Sequence, residues 1–160
     1  KDIAGLSQGQ IVRKRFFRHR GALGDQVPRP PSEYARRNVS LGASFLANYE
    51  AVDAVERGYV DNVLWGSDYP HAEGTWQRPE GDEPSIGLLS MRATFAGVDT
   101  TNVRKMAGEN AARVYGLDLD ALRAVAARIG APSAGALTEP LTEVPAGGSP
   151  FAFRTFGPWA

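Results

Sequence analysis

The chain has 160 residues, 42% of them hydrophobic, with 18 basic and 18 acidic side chains and no cysteine. The missing thiol excludes disulfides, thiolate metal sites and a cysteine nucleophile, leaving oxygen and imidazole as the metal ligands. A balanced net charge gives no sign of a nucleic-acid partner, and no apolar run approaches the ~20 residues that cross a bilayer, so a soluble, cytoplasmic protein is expected.

Residues 1–32 read as a connecting segment with scattered Gly and Pro. Residues 1–40 hold nine basic side chains against three acidic ones, a net +6 that leaves −6 for the remainder. The basic run around Phe16 and Phe17 is read as a solvated face anchored by two aromatics, because no nucleic-acid module follows it. His19 lies among four arginines and a lysine, a positive field that repels a metal cation, so it is not taken as a ligand.

Pro31-Ser32-Glu33-Tyr34 opens a second unit, set at residues 33–131. β-Branched and apolar residues over 39–45 predict a strand, and Ala51, Val52 and Val55 mark one face of a helix over 47–57 that Gly58 stops. The run 62–65 is too short for a helix, lacks polar alternation and is bounded by Gly58 and Gly66, a pattern that suits a parallel strand covered on both faces. Strand, helix and strand together imply a right-handed parallel crossover.

The second strand ends abruptly in Gly66-Ser67-Asp68-Tyr69-Pro70-His71. A carboxylate just past a buried strand is costly to desolvate unless donors or a cation meet it, and sites in α/β folds collect at that end of the strands. Asp68 is therefore the leading functional residue, with a plain Asx turn before Tyr69-Pro70 as the alternative. His71 faces the same mouth, either to orient substrate or Asp68 or as a structural turn histidine. Thr75 and Trp76 line the pocket or pack the loop.

Residues 72–83 read as a loop on that face. A helix follows from Pro84, capped by Asp82 or Glu83 and carrying Leu88, Leu89, Met91 and Phe95. Asp99 caps the next, whose Val103, Met106, Ala107, Ala111 and Val114 point inward up to Gly116. A last helix over 118–129 turns Leu122, Val125, Ala126 and Ile129 inward. Residues 132–160 form an extended tail in which Phe151, Phe153, Phe156 and Trp159 are too apolar to stay free. They are expected to pin it on the rest of the protein or on a partner subunit, a route to homo-oligomers.

The stretch Leu64-Trp65-Gly66-Ser67-Asp68-Tyr69-Pro70-His71-Ala72-Glu73-Gly74-Thr75-Trp76 resembles the last-strand signature of the amidohydrolase-related superfamily, the metal-dependent barrel enzymes that include aminocarboxymuconate-semialdehyde decarboxylase and its relatives. Pro31-Ser32-Glu33-Tyr34 and Asn38-Val39 upstream, and residues 108–117 downstream (Gly108-Glu109-Asn110-Ala111 onward), extend the resemblance in the family's order. The resemblance implies an α/β fold forming the C-terminal part of a TIM-like (β/α)8 barrel, the last two strand-helix units plus terminal helices. A complete barrel needs about 250 residues, so the chain, opening on Lys1, is read as a C-terminal fragment.

By the same resemblance Asp68 is a metal ligand and proton carrier, catalytic toward a small-molecule substrate with a carbonyl or carboxylate group. The cofactor implied is a divalent metal, zinc first. Hydrolysis is the leading reaction and decarboxylation the alternative; a non-catalytic interaction module is the reading from another class. The family's His-X-His pair has no counterpart here, since His19 and His71 are the two histidines. The isolated chain is therefore expected to be inactive.

Overall fold

The computed structural model describes residues 28–77, 84–145, 149–153 and 155. The expectations placed on His19 and the basic run, on Asp82 or Glu83 as a cap, and on Phe156 and Trp159 lie outside those residues. Two units separate, Lys1–Arg37 and Asn38–Ala160.

The first unit contributes helix α1, Pro31–Asn38, with Arg29 and Glu33 paired at 3.6 Å. Its signal was in the sequence: Pro31 occupies the first helical position, where its missing N–H costs nothing, with Glu33 in the first turn and Arg36 and Arg37 in the last. A boundary between connection and barrel near residue 32 passed over it.

The second unit begins with strand β1, Leu41–Ala43, and helix α2, Asn48–Glu56, then a single 3-10 turn, Val60–Asn62, and strand β2, Val63–Trp65. β1 and β2 are parallel, with Leu41 opposite Val63 and Ala43 opposite Trp65. Both strands are shorter than predicted. Asn62 is the end of the 3-10 turn, and its side chain bonds the Val39 carbonyl instead of joining the ladder. Ala51 and Ala54 are fully buried on α2, and Gly58 takes φ +71 just past the helix, as its placement as a stop requires.

Helix α3 runs Ile86–Phe95 and starts at Ser85, whose hydroxyl accepts the Leu88 N–H at 3.1 Å. Its buried residues are Ser90, Thr94 and Phe95, while Leu88 and Met91 pack half-buried against the core. The polar positions go inward because they have partners: Thr94 donates its hydroxyl to the Leu46 carbonyl at 2.8 Å, and the Asn48 amide donates to the Thr94 and Ala96 carbonyls. Phe95, Val103 and Met106 anchor the core with Ala51, Ala54 and Val63.

The next helical rod has three parts: α4, Thr100–Arg104, capped by Asp99; a π-turn, Lys105–Glu109; and α5, Asn110–Tyr115. The regular periodicity predicted Ala111 and Val114 inward, yet Asn110 and Ala112 are buried and Val114 is 41% exposed. An α-helix advances about 100° per residue, so the extra residue taken up by the π-turn rotates every later position around the rod.

Helix α6, Leu119–Arg128, starts one residue later than predicted because Asp118 caps it, and none of its residues is buried. Leu122, Val125 and Ile129 are 43%, 41% and 70% exposed, so the inward placement predicted for them does not hold among the described residues. Leu122 and the half-buried Ala126 line a groove of about 370 Å³ with Val103, Ala107 and Leu137, whereas Val125 and Ile129 lie outside it. In the segment read as extended tail, Ser133 caps one helical turn, α7, Ala134–Leu137, which Leu137 anchors in the core. Farther along, Phe151 lies against Phe45 with ring centroids 5.7 Å apart, and Phe153 is buried.

Candidate active site

Parallel strands send their C-terminal ends to the same edge of the sheet, so Ser44-Phe45 after β1 and Ser67-Asp68 after β2 emerge side by side. Val63 packs into the core and Leu64, on the opposite face, is also buried, so β2 is covered on both sides as its unbroken apolar run suggested. The Gly66 N–H reaches the Ala43 carbonyl at 3.2 Å, carrying the pairing one residue beyond the strand before the chain turns away.

The turn places Asp68 at φ +60, the one non-glycine residue with a positive φ among those described. An Asp side chain tolerates the left-handed region better than most, yet the conformation still costs free energy, and such residues concentrate at functional sites. The Tyr69–Pro70 peptide is cis. Beyond it the loop closes on itself: His71 N–H donates to the Asp68 carbonyl at 2.8 Å, Gly74 N–H to the His71 carbonyl at 3.0 Å, and Thr75 N–H to the Ser67 carbonyl at 2.8 Å. Gly74 makes this closure possible, because a Cβ there would stand 2.6 Å from the Ser67 carbonyl oxygen and 2.7 Å from Trp76 Cδ1.

Asp68 and His71 come together. Asp68 Oδ1 lies 3.1 Å from His71 Nδ1, with the carboxylate side chain 20% exposed and the imidazole 67% exposed. The hydrogen bond to Asp68, reinforced by the carboxylate's charge, raises the His71 pKa above the ordinary histidine value. No hydrogen bond to Asp68 Oδ2 is made among the described residues.

Thr75 and Trp76 divide differently from their sequence placement. Thr75 is 1% exposed and packs inside the loop, with its hydroxyl unpartnered among the described residues. Trp65 Nε1, at the end of β2, is also buried and unpartnered. An unsatisfied buried polar atom costs about 1–3 kcal/mol. Trp76 is 41% exposed, donates its indole N–H to the His71 carbonyl at 2.8 Å, and stands edge-on to Tyr69 at 5.3 Å. Tyr69, between Asp68 and Pro70, is 71% exposed.

One carboxylate and one imidazole are fewer than the about three protein ligands of a catalytic zinc site. Among the described residues no group of three or more His, Asp or Glu could hold a metal ion. The described residues therefore do not complete a metal site. No helix among them is long and apolar enough to cross a membrane.

The described geometry is a parallel α/β unit with a carboxylate and an imidazole just past the C-terminal end of a buried strand. The amidohydrolase family model matches residues 27–117, more than half of the chain, and the chain belongs to the amidohydrolase family. That family has the TIM-barrel fold, and its members are generally enzymes that use a divalent metal. No curated protein and no solved structure matches the chain.

Proposed function

We propose that the chain is the C-terminal part of a metal-dependent amidohydrolase barrel, supplying its last two strand-helix units and terminal helices, and that Asp68 is its catalytic carboxylate. The observation that carries the reading is Asp68 itself: a carboxylate held at φ +60 past a buried parallel strand, with Oδ1 on His71. Two strands do not close a barrel. Leu41 on β1 is 52% exposed, and a groove of about 400 Å³ lined by Leu41, Gly42, Phe45 and Leu46 follows that strand, which suits coverage by a preceding strand-helix unit.

Asp68 is the residue that would hold the ion, most simply zinc, together with ligands from outside the described residues. Such an ion supplies a water of lowered pKa and polarises a substrate carbonyl. Asp68 accepts a proton at Oδ2 while Oδ1 stays fixed by His71, and His71 orients that carboxylate or the substrate. Trp76, backed by Tyr69, gives an apolar wall for a small carbonyl or carboxylate compound, while the buried Thr75 holds the loop beneath. Hydrolysis is the reaction this arrangement suits.

The test compares the 160-residue chain with a longer protein carrying the sequence that precedes it. Calorimetric titration with zinc should give no stoichiometric submicromolar site in the chain alone, and one metal per chain in the longer protein. Asp68→Asn in the longer protein should lower turnover at least about a hundredfold, the scale of a lost acid-base group. A tight site in the chain alone would overturn the partial-barrel reading, and wild-type turnover in the variant would overturn the role of Asp68.

A further inference from the structure

The apolar spacing up to Gly116 predicts that the face of this helical rod turned inward is core. One of the buried positions is polar. Asn110 is 3% exposed, and its side-chain amide donates to two carbonyls at once, Val60 at 2.9 Å and Val63 at 2.8 Å. Those carbonyls bracket the 3-10 turn that leads into β2. The intervening residue is held from the same rod: Arg113 Nη2 donates to the Asp61 carbonyl at 2.6 Å, and Lys105 Nζ lies 2.9 Å from Asp61 Oδ1.

The π-turn is what makes the three side chains converge. In an α-helix, residues five apart point about 140° away from each other. Here the Asn110 N–H bonds the Lys105 carbonyl, the i to i+5 bond of a π-turn, whose wider turn brings residue five back toward the side of residue zero. Lys105 and Asn110 thus share the face toward Asp61, and Arg113, one ordinary turn on, joins them. A regular helix over the same sequence would turn one end of this set off the strand.

We propose that Lys105, Asn110 and Arg113 form a clamp, built on the π-turn, that sets where β2 begins and so positions Asp68 at its other end. β2 has three residues and is followed at once by Gly66, whose N–H bonds the Ala43 carbonyl, and by Ser67, whose carbonyl receives Thr75. A segment this short transmits a shift at Val63 directly to Asp68, and a slip of one residue would exchange the two faces of the strand. Asn110 is a positioning residue that never touches substrate.

The inference rests on the reading of Asp68 as the site carboxylate, and the experiment reads backbone exchange rather than turnover, so the two can fail separately. Native-state hydrogen exchange is measured by NMR on the 160-residue chain and on Asn110→Leu, Arg113→Met and Lys105→Met. The clamp predicts that Asn110→Leu speeds exchange of the Gly66, His71 and Thr75 amides by about tenfold or more, with Ala51 and Leu122 changed by less than about threefold. Arg113→Met should show the same selective pattern at smaller size, and it decides the matter if Asn110→Leu does not fold. Equal acceleration at every amide would reduce these residues to general stabilisers, and unchanged exchange at the three site amides would overturn the clamp.

Discussion

Asp68 and His71 stand three residues apart and face each other at 3.1 Å across a turn that holds the Asp68 backbone at φ +60. The pair is local in sequence, but its geometry is made by the closure of the loop behind it. The substitutions that probe it therefore divide into those that change charge and those that change backbone freedom.

At position 68 the two effects separate. Asn occupies the left-handed region nearly as readily as Asp and can still meet His71, so Asp68→Asn should cost about 0.5 kcal/mol, the low end for one hydrogen bond. Asp68→Val, β-branched at a positive φ, should cost about 1–2 kcal/mol. Urea denaturation of the two variants measures this, and equal losses would show that the backbone conformation is not strained.

Gly74 is the tightest point of the loop. A methyl group there meets backbone atoms of Ser67 and Asp68, which cannot rotate away as a side chain would. Gly74→Ala should destabilise by about 1–3 kcal/mol and expose Trp76, seen as a red shift of its fluorescence. An unchanged melt and spectrum would mean that the loop opens freely.

Asp99 makes the fold acid-sensitive. Its carboxylate accepts the N–H groups of Thr101 and Asn102 at 3.0 and 3.1 Å and the side-chain amide of Asn102. The backbone bond from Asn102 is the largest cause that lowers its pKa below the ordinary aspartate value. A depressed folded pKa gives stability that is present above the unfolded value of 3.8 and lost as pH falls through the folded one. Asp99→Ala should cost about 1 kcal/mol at pH 7 and progressively less below the unfolded value, measured by thermal melts across pH. A pH-independent difference would refute the charged cap.

The tail is tested at Phe151. A double-mutant cycle of Phe45→Ala and Phe151→Ala should give a coupling of about 0.5–1.5 kcal/mol, as for other aromatic pairs. Phe153→Ala, at a buried position, should cost more than Phe151→Ala. Additive single effects would show that the ring contact holds nothing.

The sequence by itself determined the elements whose signals are local. Asp99 and Asp118 cap their helices, Gly58 turns left-handed after α2, and the apolar run around Val63 makes a strand covered on both faces, because caps, positive φ and apolar periodicity act within a few residues. It also carried the family, through Trp65-Gly66-Ser67-Asp68 and Gly108-Glu109-Asn110-Ala111. Tertiary structure decided the rest. Thr94 and Asn110 are buried because carbonyls of distant segments accept their bonds, and no pattern along one helix reveals a partner some fifty residues away. The π-turn followed the same rule, turning Ala112 inward and Val114 outward where a regular 3.6-residue period predicts the reverse. Leu122 and Val125 stand on α6 and Ile129 just past its end, as the spacing dictates, but burial needs an opposing surface, and only packing decides whether one is there.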